Sequence, residues 1–372
     1  MVASSGTRVR AAVVGTGLIG GSILLRLHRA GLDVTGWDPD PATRLAARDA
    51  GVPAPDELTA AVAGRYVVFL CGPLPTLPET LLTVAAATGG ECVLTDVGST
   101  KGGLAAFAAA HGLTHRFVPG HPMAGTDRAG LGAAEPDLLT GAAWVLCPSA
   151  GPGLPAFRWL TGLLGEVFQA RVVPMAADRH DAVAALASHV PHLLAGALAG
   201  AVDRSALRDA VLALAAGSFR DGTRVAGTPP ERTANMLLGN REHVLRELAG
   251  VRSFLDELAG ALADADAGAL TAGYRDARAT RTALTGRAFT EIHRSFPADT
   301  GSDHGDGGDH GTGGDHGDGG RDGGGPGADG GREELDFLLG IGAAGGHLSR
   351  CRISGTAVEY TAHKPAGEME RG

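Results

Sequence analysis

The stretch 118–130 reads VPGHPMAGTDRAG and sets one imidazole, that of His121, among small and turn-forming residues. A helix interior does not accept this composition, and Pro122 has no N–H to donate to the ladder of a central strand. The pattern therefore predicts an ordered loop around His121. An imidazole held in such a loop is either a structural hydrogen-bonding group or a group that acts on a ligand, and the flanking sequence decides between the two.

A second group of chemically active side chains lies on one predicted helix, in ADRHDAVAALASHVPHLLAGALAGAV. Ser188, His189 and His192 share adjoining faces of this helix, because residues three or four apart are neighbours on its surface. Pro191 removes a backbone hydrogen bond and predicts a kink. Polar groups in an Ala/Leu helix need partners. Three alternatives remain open: a polar ligand, hydrogen bonds inside the core, or a metal ion, for which no third ligand sits at a suitable spacing.

A candidate for binding an acidic substrate follows in the turn SFRDGTRVAG. A planar guanidinium binds a carboxylate through two parallel hydrogen bonds, so Arg224 is a candidate carboxylate clamp. Arg220 and Asp221 in the same turn are interpreted as a surface ion pair.

The secondary-structure elements that must position these polar side chains begin with a glycine-rich turn at residues 15–20. Residues 9–14 are, apart from Arg10, apolar and either β-branched or small, as in a buried parallel strand, and G-x-G-x-x-G follows before an apolar-periodic helix. Gly15 allows a tight turn, Gly17 lets the backbone approach a pyrophosphate, and Gly20 lets the helix pack against the strand. The pattern predicts dinucleotide binding. The expected cofactor contacts are Gly15, Gly17, Leu18, Ile19 and Gly20.

The preference between the two nicotinamide cofactors is read from Asp38, which closes the second predicted strand. This residue is expected to accept hydrogen bonds from a ribose hydroxyl. Asp40 follows closely and Pro39 between them offers no cation, so a 2′-phosphate would meet negative charge, which favours NAD over NADP. Arg44 is a nearby cation that opposes this preference. The alternative is that Asp38 only begins the turn DPDP.

Alternation of strands and helices predicts the fold. Further strands are expected at Tyr66–Cys71, Cys92–Asp96, Phe117–Pro119, Ala143–Cys147 and Arg171–Val173. They indicate an α/β fold class, a doubly wound Rossmann-type parallel sheet, followed after Pro174 by an all-α helical domain. Ligands of such sheets bind beyond the carboxyl ends of the strands. Polar loops at those ends bring Ser99, Lys101 and His121 toward the nicotinamide, with Lys101 expected at the cofactor. Ser99 as a helix N-cap and Lys101 as a solvated residue are the structural alternatives.

Composition limits the partners and the compartment. The formal net charge is −9, whereas nucleic-acid binding requires a basic surface, so no nucleic-acid partner is expected. No apolar run reaches about 18 residues and no signal-peptide pattern is seen, so no membrane partner is expected. Four cysteines stand far apart without CxxC spacing, which favours reduced thiols. We expect a cytoplasmic protein with a small-molecule substrate and no resident metal.

Five stretches together resemble the prephenate/arogenate dehydrogenase family of tyrosine biosynthesis: VVGTGLIGGS, DVGSTKGG, GHPMAGTD, ASHVPHLLAGAL and SFRDGTRVA. They occur in the order and spacing of that family over roughly residues 8–260. The resemblance implies a NAD-dependent oxidative decarboxylation. The ring carbon that bears the hydroxyl gives up a hydride, and the ring carboxylate leaves as CO2. It also implies a homodimer formed through the helical domain.

The resemblance assigns roles in that reaction. His121 would hydrogen-bond the ring hydroxyl and take its proton, which suits an imidazole with an ordinary pKa of about 6.5. Ser99 would hold the same hydroxyl. Other polar groups would surround the rest of the substrate. The implied substrate contacts are Arg224 for a carboxylate, His192, Ser188, His189, Thr126 and Asp127.

Two positions depart from the family pattern and bear on the substrate. Asp127 stands where a glutamate is common, and Thr233 stands where a tryptophan is common. The second histidine of SHVPH favours prephenate, so the predicted activity is that of a prephenate dehydrogenase, with arogenate or an amino-substituted prephenate as the alternative substrate. The rival functions are a Rossmann oxidoreductase for hydroxy acids or imines, and a protein that binds NAD(H) without turnover.

The expected domain boundaries are 1–174 for the NAD-binding domain and 175–296 for the helical domain that binds substrate and dimerises. Residues 297–332 contain a six-residue repeat at 303–320 and are predicted to be a disordered linker, because their composition cannot bury apolar surface. Residues 333–372 are a short tail. Some relatives end in a regulatory βαββαβ module, for which this tail is too short, so tyrosine inhibition through such a module is not expected.

Overall fold

The computed structural model describes residues 9–125, 128–298 and 326–366. Its first sheet is built from short apolar runs that are largely buried, as parallel strands covered by helices are. The strands are β1 (Arg10–Val14), β2 (Asp33–Trp37), β3 (Val67–Leu70), β4 (Val93–Asp96) and β5 (Phe117–Val118). All pair in parallel in the order β2-β1-β3-β4-β5. The strand order reverses beside β1, where folds of this kind bind their ligands.

Helices cover both faces of this sheet. They are α1 (Leu18–Arg29), α2 (Pro41–Asp49), α3 (Leu58–Val62), α4 (Leu77–Ala87), α5 (Gly102–Ala110) and α6 (Leu154–Phe168). Successive side chains of a strand point to opposite faces. Ala11 and Val13 accordingly belong to one buried apolar cluster, and Ala12 and Val14 belong to another on the opposite side. The doubly wound α/β architecture predicted from the sequence is confirmed.

His121 lies in a second sheet, which begins with β6 (Gly120–Pro122), β7 (Ala143–Leu146) and β8 (Arg171–Pro174). β6 runs antiparallel to β7 with His121 opposite Val145, and β7 runs parallel to β8. The prediction of a loop at His121 is therefore wrong. β6 is the outermost strand of its sheet, where the N–H that Pro122 lacks costs no central ladder bond. The strand predicted at Phe117–Pro119 likewise ends at Val118.

The chain beyond β8 is helical, as predicted. α7 (Ala177–Ala184) and α8 (Val190–Asp203) form one continuous stretch with a π-helical turn at Ala185–His189 between them. This turn ends two residues before Pro191, so the expected irregularity takes the form of a π turn, a feature common at functional sites. The remaining helical elements are α9 (Arg208–Leu214), α10 (Gly217–Thr223), a 3-10 turn (Arg224–Gly227), α11 (Pro230–Gly239), α12 (Arg241–Ala263) and α13 (Ala267–Thr285).

The helical part exposes much apolar surface. Ala177–Asp203 is long and apolar enough to cross a membrane by length and composition alone, with a mean hydropathy of 1.5 and 28% of that window buried. The same stretch carries His180 and Asp181, which are buried inside the protein. Leu214 and Leu262 on later helices are 84% and 70% exposed. Apolar patches of this extent are typical of a surface that packs against a partner.

A third part of the chain returns to the second sheet. β9 (Phe289–Pro297), α14 (Pro326–Ala343), β10 (His347–Ser354) and β11 (Ala357–Pro365) form a β-α-β-β unit. β10 pairs with β8 through Leu348 opposite Val172, and the sheet runs β6-β7-β8-β10-β11-β9. A buried ion pair fastens this unit to α6. Arg158 donates to both carboxylate oxygens of Glu334 on α14, and the Tyr360 hydroxyl donates to Oε1 of Glu334 at 2.6 Å.

The boundaries of these parts differ from those expected from the sequence. β9 begins inside the interval 175–296 assigned to helices, yet it pairs along its length with β11. α14 begins inside the interval 297–332 assigned to a linker, and the tail 333–372 contributes two strands to the sheet. The repeat at 303–320 lies outside the described residues. Local periodicity does not predict that the chain returns to the second sheet, because the paired strands β9 and β11 lie on either side of the low-complexity segment.

Candidate active site

The glycine-rich turn between β1 and α1 has the form that a dinucleotide requires. Gly15 has φ +91°, a left-handed conformation that favours glycine. A Cβ on Gly20 would lie 1.9 Å from the carbonyl oxygen of Gly15, whereas a Cβ on Gly17 would meet no atom within 4 Å. α1 begins at Leu18 without a side-chain cap. The first N–H groups of α1, including that of Ile19, are thus available to a phosphate. These residues fit a dinucleotide.

Asp38 lies beside this turn at the end of β2. Its Oδ2 accepts a hydrogen bond from the N–H of Thr16 at 2.8 Å, and its Oδ1 accepts one from the N–H of Asp40 at 3.1 Å. Arg44 donates to the backbone carbonyl oxygens of Asp38 and Pro39 at 2.8 and 3.2 Å. The Arg44 guanidinium, which could have bound a 2′-phosphate, is therefore hydrogen-bonded to the backbone. The Asp38 carboxylate is held in place by two N–H groups.

We expect NAD+ to be preferred over NADP+, because the Asp38 carboxylate repels a 2′-phosphate. Asp38→Ser should lower the ratio of kcat/KM for the two cofactors by about tenfold, which equals ~1.4 kcal/mol. Asp49→Ser removes an exposed carboxylate from the far end of α2 and should leave the ratio unchanged. Equal ratios for the wild type and Asp38→Ser would contradict the role assigned to this carboxylate.

Lys101 is fully enclosed by protein. Its ammonium forms an ion pair with Asp96 at the end of β4 and donates to the carbonyl oxygen of Gly120 at 2.7 Å. The structure differs here from the expected cofactor contact. A buried carboxylate requires a buried counter-charge, and Lys101 supplies it to Asp96 while tying β4 to the strand that carries His121.

His121 is half-buried and hydrogen-bonded to a second imidazole. Its Nδ1 lies 2.9 Å from Nε2 of His180. Burial, and then the charges of His180 and Lys101, lower the pKa of His121 well below the usual histidine value, with smaller contributions from His189 and Arg232. His121 is therefore neutral at neutral pH and able to accept a proton.

A buried carboxylate stands behind His180. The Nδ1 of His180 lies 2.8 Å from Oδ1 of Asp181. The same carboxylate accepts hydrogen bonds from the N–H groups of Lys101 and Gly102 at the start of α5, at 2.7 and 2.8 Å. Burial alone would raise the pKa of Asp181, but the bonds from His180 and from these two N–H groups hold it below its ordinary value. Asp181 is thus an ionised carboxylate.

His189 and His192 have different surroundings. His189 is fully buried, and Asn240 donates from Nδ2 to its Nδ1 at 3.1 Å and to the carbonyl oxygen of Asp181 at 2.7 Å. Burial lowers the pKa of His189 to about 4. His192 is half-buried and donates from Nδ1 to the carbonyl oxygen of Ser188 at 2.9 Å, which leaves its Nε2 to a ligand. Over the described ranges, no group of three potential metal ligands occurs.

The candidate carboxylate clamp and a second guanidinium lie on neighbouring elements. Arg224 is exposed in the 3-10 turn that packs against α8. Arg232 on α11 is also exposed, and its Nη2 lies 3.9 Å from the position that a Cβ on Gly125 would occupy. Gly125 follows the His121 strand, and the charge of Arg232 helps to lower the pKa of His121. The structure thus brings Arg232 close to His121.

The other expected substrate groups are placed in part. Ser99 is half-buried in the turn between β4 and α5, and Ser188 is half-buried in the π turn. Thr126 and Asp127 lie outside the described residues. Ser99 therefore follows the carboxyl end of β4, where Asp96 pairs with Lys101, and this end lies beside β6, the strand that carries His121.

Sequence reasoning did not assign roles to His180, Asp181 or Arg232. Asp181 lies seven residues before Ser188 and eleven before His192, a spacing that places polar residues along one helix face and was the available signal. Arg232 gave no comparable signal, because α11 meets the segment after His121 only in the folded chain.

Comparisons with known proteins identify the family of this chain. Two family models, the prephenate dehydrogenase nucleotide-binding domain and the prephenate dehydrogenase dimerization domain, match residues 23–173 and 176–275. The chain belongs to the prephenate dehydrogenase family. The cyclohexadienyl dehydrogenase of Zymomonas mobilis is 30% identical over 279 residues, which are 73% of this chain and 95% of that protein.

Two further relatives of the prephenate dehydrogenase family extend this finding. The prephenate dehydrogenase of Bacillus subtilis is 32% identical over 259 residues, which are 66% of this chain and 70% of that protein. The prephenate dehydrogenase from A. aeolicus in complex with hydroxyphenyl propionate and NAD+ is similar in structure, with a TM-score of 0.68 and 25% identity, covering 76% of this chain and 100% of that one. His121 falls in the matched nucleotide-binding region, and His180 falls in the matched dimerization region.

Proposed function

We propose that this member of the family is a NAD-dependent prephenate dehydrogenase, which converts prephenate to 4-hydroxyphenylpyruvate by oxidative decarboxylation. The observation that carries the proposal is His121, a neutral imidazole backed by His180 and Asp181, on a strand that Lys101 ties to the carboxyl end of β4. Membership of the family supports the reaction class. Arogenate or an amino-substituted prephenate is the alternative substrate, since a relative is named for cyclohexadienyl substrates in general.

The residues of the chain hold the ring and move one proton. Bound NAD+ supplies the acceptor for the hydride from the carbon that bears the hydroxyl. His121 takes the hydroxyl proton as the carbonyl forms, a positioned general base of this kind contributing about 10²- to 10⁴-fold to the rate. Ser99 and the free Nε2 of His192 orient the substrate. After CO2 has left, His121 returns the proton to the phenolate oxygen.

Two guanidiniums match the two carboxylates of prephenate. Arg224 and Arg232 are exposed on adjoining elements of the helical part, and Arg232 is near enough to His121 to influence its pKa. A guanidinium pairs strongly with a carboxylate, and a pair of them favours a dicarboxylic substrate over a monocarboxylic one. Arg232 is the one that the sequence did not single out.

Arg232→Gln should raise KM for prephenate by about tenfold or more with a smaller change in kcat, because uniform binding is lost. The base must be neutral to act, so the low pKa of His121 should keep the wild-type kcat/KM flat to below the ordinary histidine pKa. Since Arg232 lowers this pKa, its loss should move the acid limb to higher pH. Arg252→Gln on exposed α12 is the control. An unchanged KM together with an unchanged acid limb would exclude a role for Arg232.

A homodimer and a cytoplasmic location complete the proposal. The exposed leucines of the helical part and the matched dimerization domain support association through these helices. The four cysteines are free thiols, which is typical of a reducing compartment.

The experiment that tests the function compares kcat/KM for prephenate, arogenate and 4-amino-4-deoxyprephenate, each with NAD+ and with NADP+. We expect the highest value for prephenate with NAD+. Turnover of simple 2- or 3-hydroxy acids without turnover of these cyclohexadienes would favour a different oxidoreductase. Binding of NAD(H) without turnover of any of them would favour a nucleotide sensor.

A further inference from the structure

The hydrogen bonds behind His121 determine which of its ring nitrogens carries a proton. Asp181 is ionised and accepts from two backbone N–H groups, so it can only accept from His180 as well. The Nδ1 of His180 therefore carries a hydrogen, and a neutral imidazole with a hydrogen on Nδ1 has a bare Nε2. The Nδ1 of His121 lies 2.9 Å from that Nε2, so in this tautomer of His180 the Nδ1 of His121 is the donor. The bare nitrogen of His121 is Nε2.

We propose that His180 and Asp181 are positioning residues that hold His121 in the tautomer with Nε2 as the base and share the proton that it receives. This inference rests on the proposed function and deepens it. Both residues are almost fully buried, at 2% and 4% exposed, so their pairing is shielded from solvent. Such a chain of hydrogen bonds orients a base and stabilises its protonated form, as the carboxylate of a serine-hydrolase triad does for its histidine.

The proton balance of this relay is simple. The substrate hydroxyl gives its proton to Nε2 of His121, and the hydrogen on Nδ1 of His121 moves to Nε2 of His180. The resulting His180 cation keeps its Nδ1–H on Asp181, where the carboxylate neutralises it. The same path in reverse returns the proton through His121 to the phenolate.

The charged and titratable groups around His121 explain why the Asp181 carboxylate is needed as a counter-charge. His180, Lys101, His189 and Arg232 all disfavour a positive charge on His121. A carboxylate one imidazole away offsets them at the moment when the proton is taken. Asp96 is already paired with Lys101, whereas Asp181 accepts from His180, the imidazole that contacts His121.

The first test reads the tautomer directly. Proton–nitrogen NMR of the imidazole rings in the full-length wild type should place the ring hydrogen of His121 on Nδ1, with the signal assigned by its loss in His121→Asn. A hydrogen on Nε2 would overturn the proposal. This measurement needs no turnover, so it separates failure of the relay from failure of the proposed function.

The second test uses two substitutions of His180. His180→Phe should lower kcat by about 10²-fold while KM for prephenate and Kd for NAD+ stay within about twofold. His180→Gln should restore part of the loss, because its amide oxygen can accept from Nδ1–H of His121. His28→Gln, at an exposed position on α1, is the control. A kcat for His180→Phe within about threefold of the wild type would overturn the proposal. If His180→Phe does not fold, the kcat of His180→Gln decides instead, and a value within about threefold of the wild type would overturn the proposal.

Discussion

Replacing His121 by asparagine should lower kcat by about 10²- to 10⁴-fold, because it removes the neutral imidazole that we propose as the acceptor of the substrate proton. Affinity for NAD+ should remain, since the glycine-rich turn and Asp38 are untouched. Asparagine keeps a polar group of similar size and so separates the loss of the base from a packing defect. Steady-state turnover and cofactor titration measure the two quantities.

A matched control for this variant is His111→Asn, which removes an exposed imidazole at the end of α5. It should turn over prephenate at the wild-type rate. If His121→Asn instead kept the wild-type kcat, another group would be the proton acceptor, and the hydrogen-bond chain through His180 would have no part in the chemistry.

Breaking the ion pair between Arg158 and Glu334 should produce the largest loss of stability. Glu334→Ala should lower the free energy of unfolding by about 3–5 kcal/mol, because it leaves a buried guanidinium without its carboxylate. Arg158, Glu334 and Tyr360 are 3%, 0% and 1% exposed, so water cannot replace the lost partner. The Tyr360 hydroxyl loses its acceptor in the same variant. Chemical denaturation of the full-length protein measures the change.

Two further variants show whether this loss arises from breaking the Arg158–Glu334 ion pair. Arg158→Met combined with Glu334→Leu should recover much of the stability, since an apolar replacement of a buried pair is often neutral. Asp209→Asn removes the carboxylate of an exposed surface ion pair with Arg208 and should give no measurable change. A Glu334→Ala protein as stable as the wild type would show that α14 and β11 are not held to α6 in this way.

Much of the first sheet could be predicted because its signals are local. β1, the glycine-rich turn, α1 and Asp38 follow one another within thirty residues of chain, and each has a composition that allows few alternatives. The β-α-β-β unit could not be predicted in the same manner. β9 and β11 pair across a segment of low complexity, so no contiguous pattern joins them. Local composition therefore divides this interval into a helical domain, a linker and a tail.

The site shows the same division between local chemistry and distant contacts. His121 was recognised from its neighbours, although Gly120 and Pro122 indicated a loop and the structure has an edge strand. Lys101 was expected at the cofactor, because its sequence position follows a strand end. Its burial against Asp96 and the carbonyl oxygen of Gly120 depends on the return of the chain to β6, which the sequence does not show.

The measurement that tests the central claim most directly is the stoichiometry of a single reaction mixture of wild-type protein, prephenate and NAD+, followed by NADH absorbance, CO2 release and 4-hydroxyphenylpyruvate together. We predict equal amounts of all three products from the wild type and a rate at least about 10²-fold lower for His121→Asn. NADH without CO2, or equal rates for the two proteins, would contradict the account.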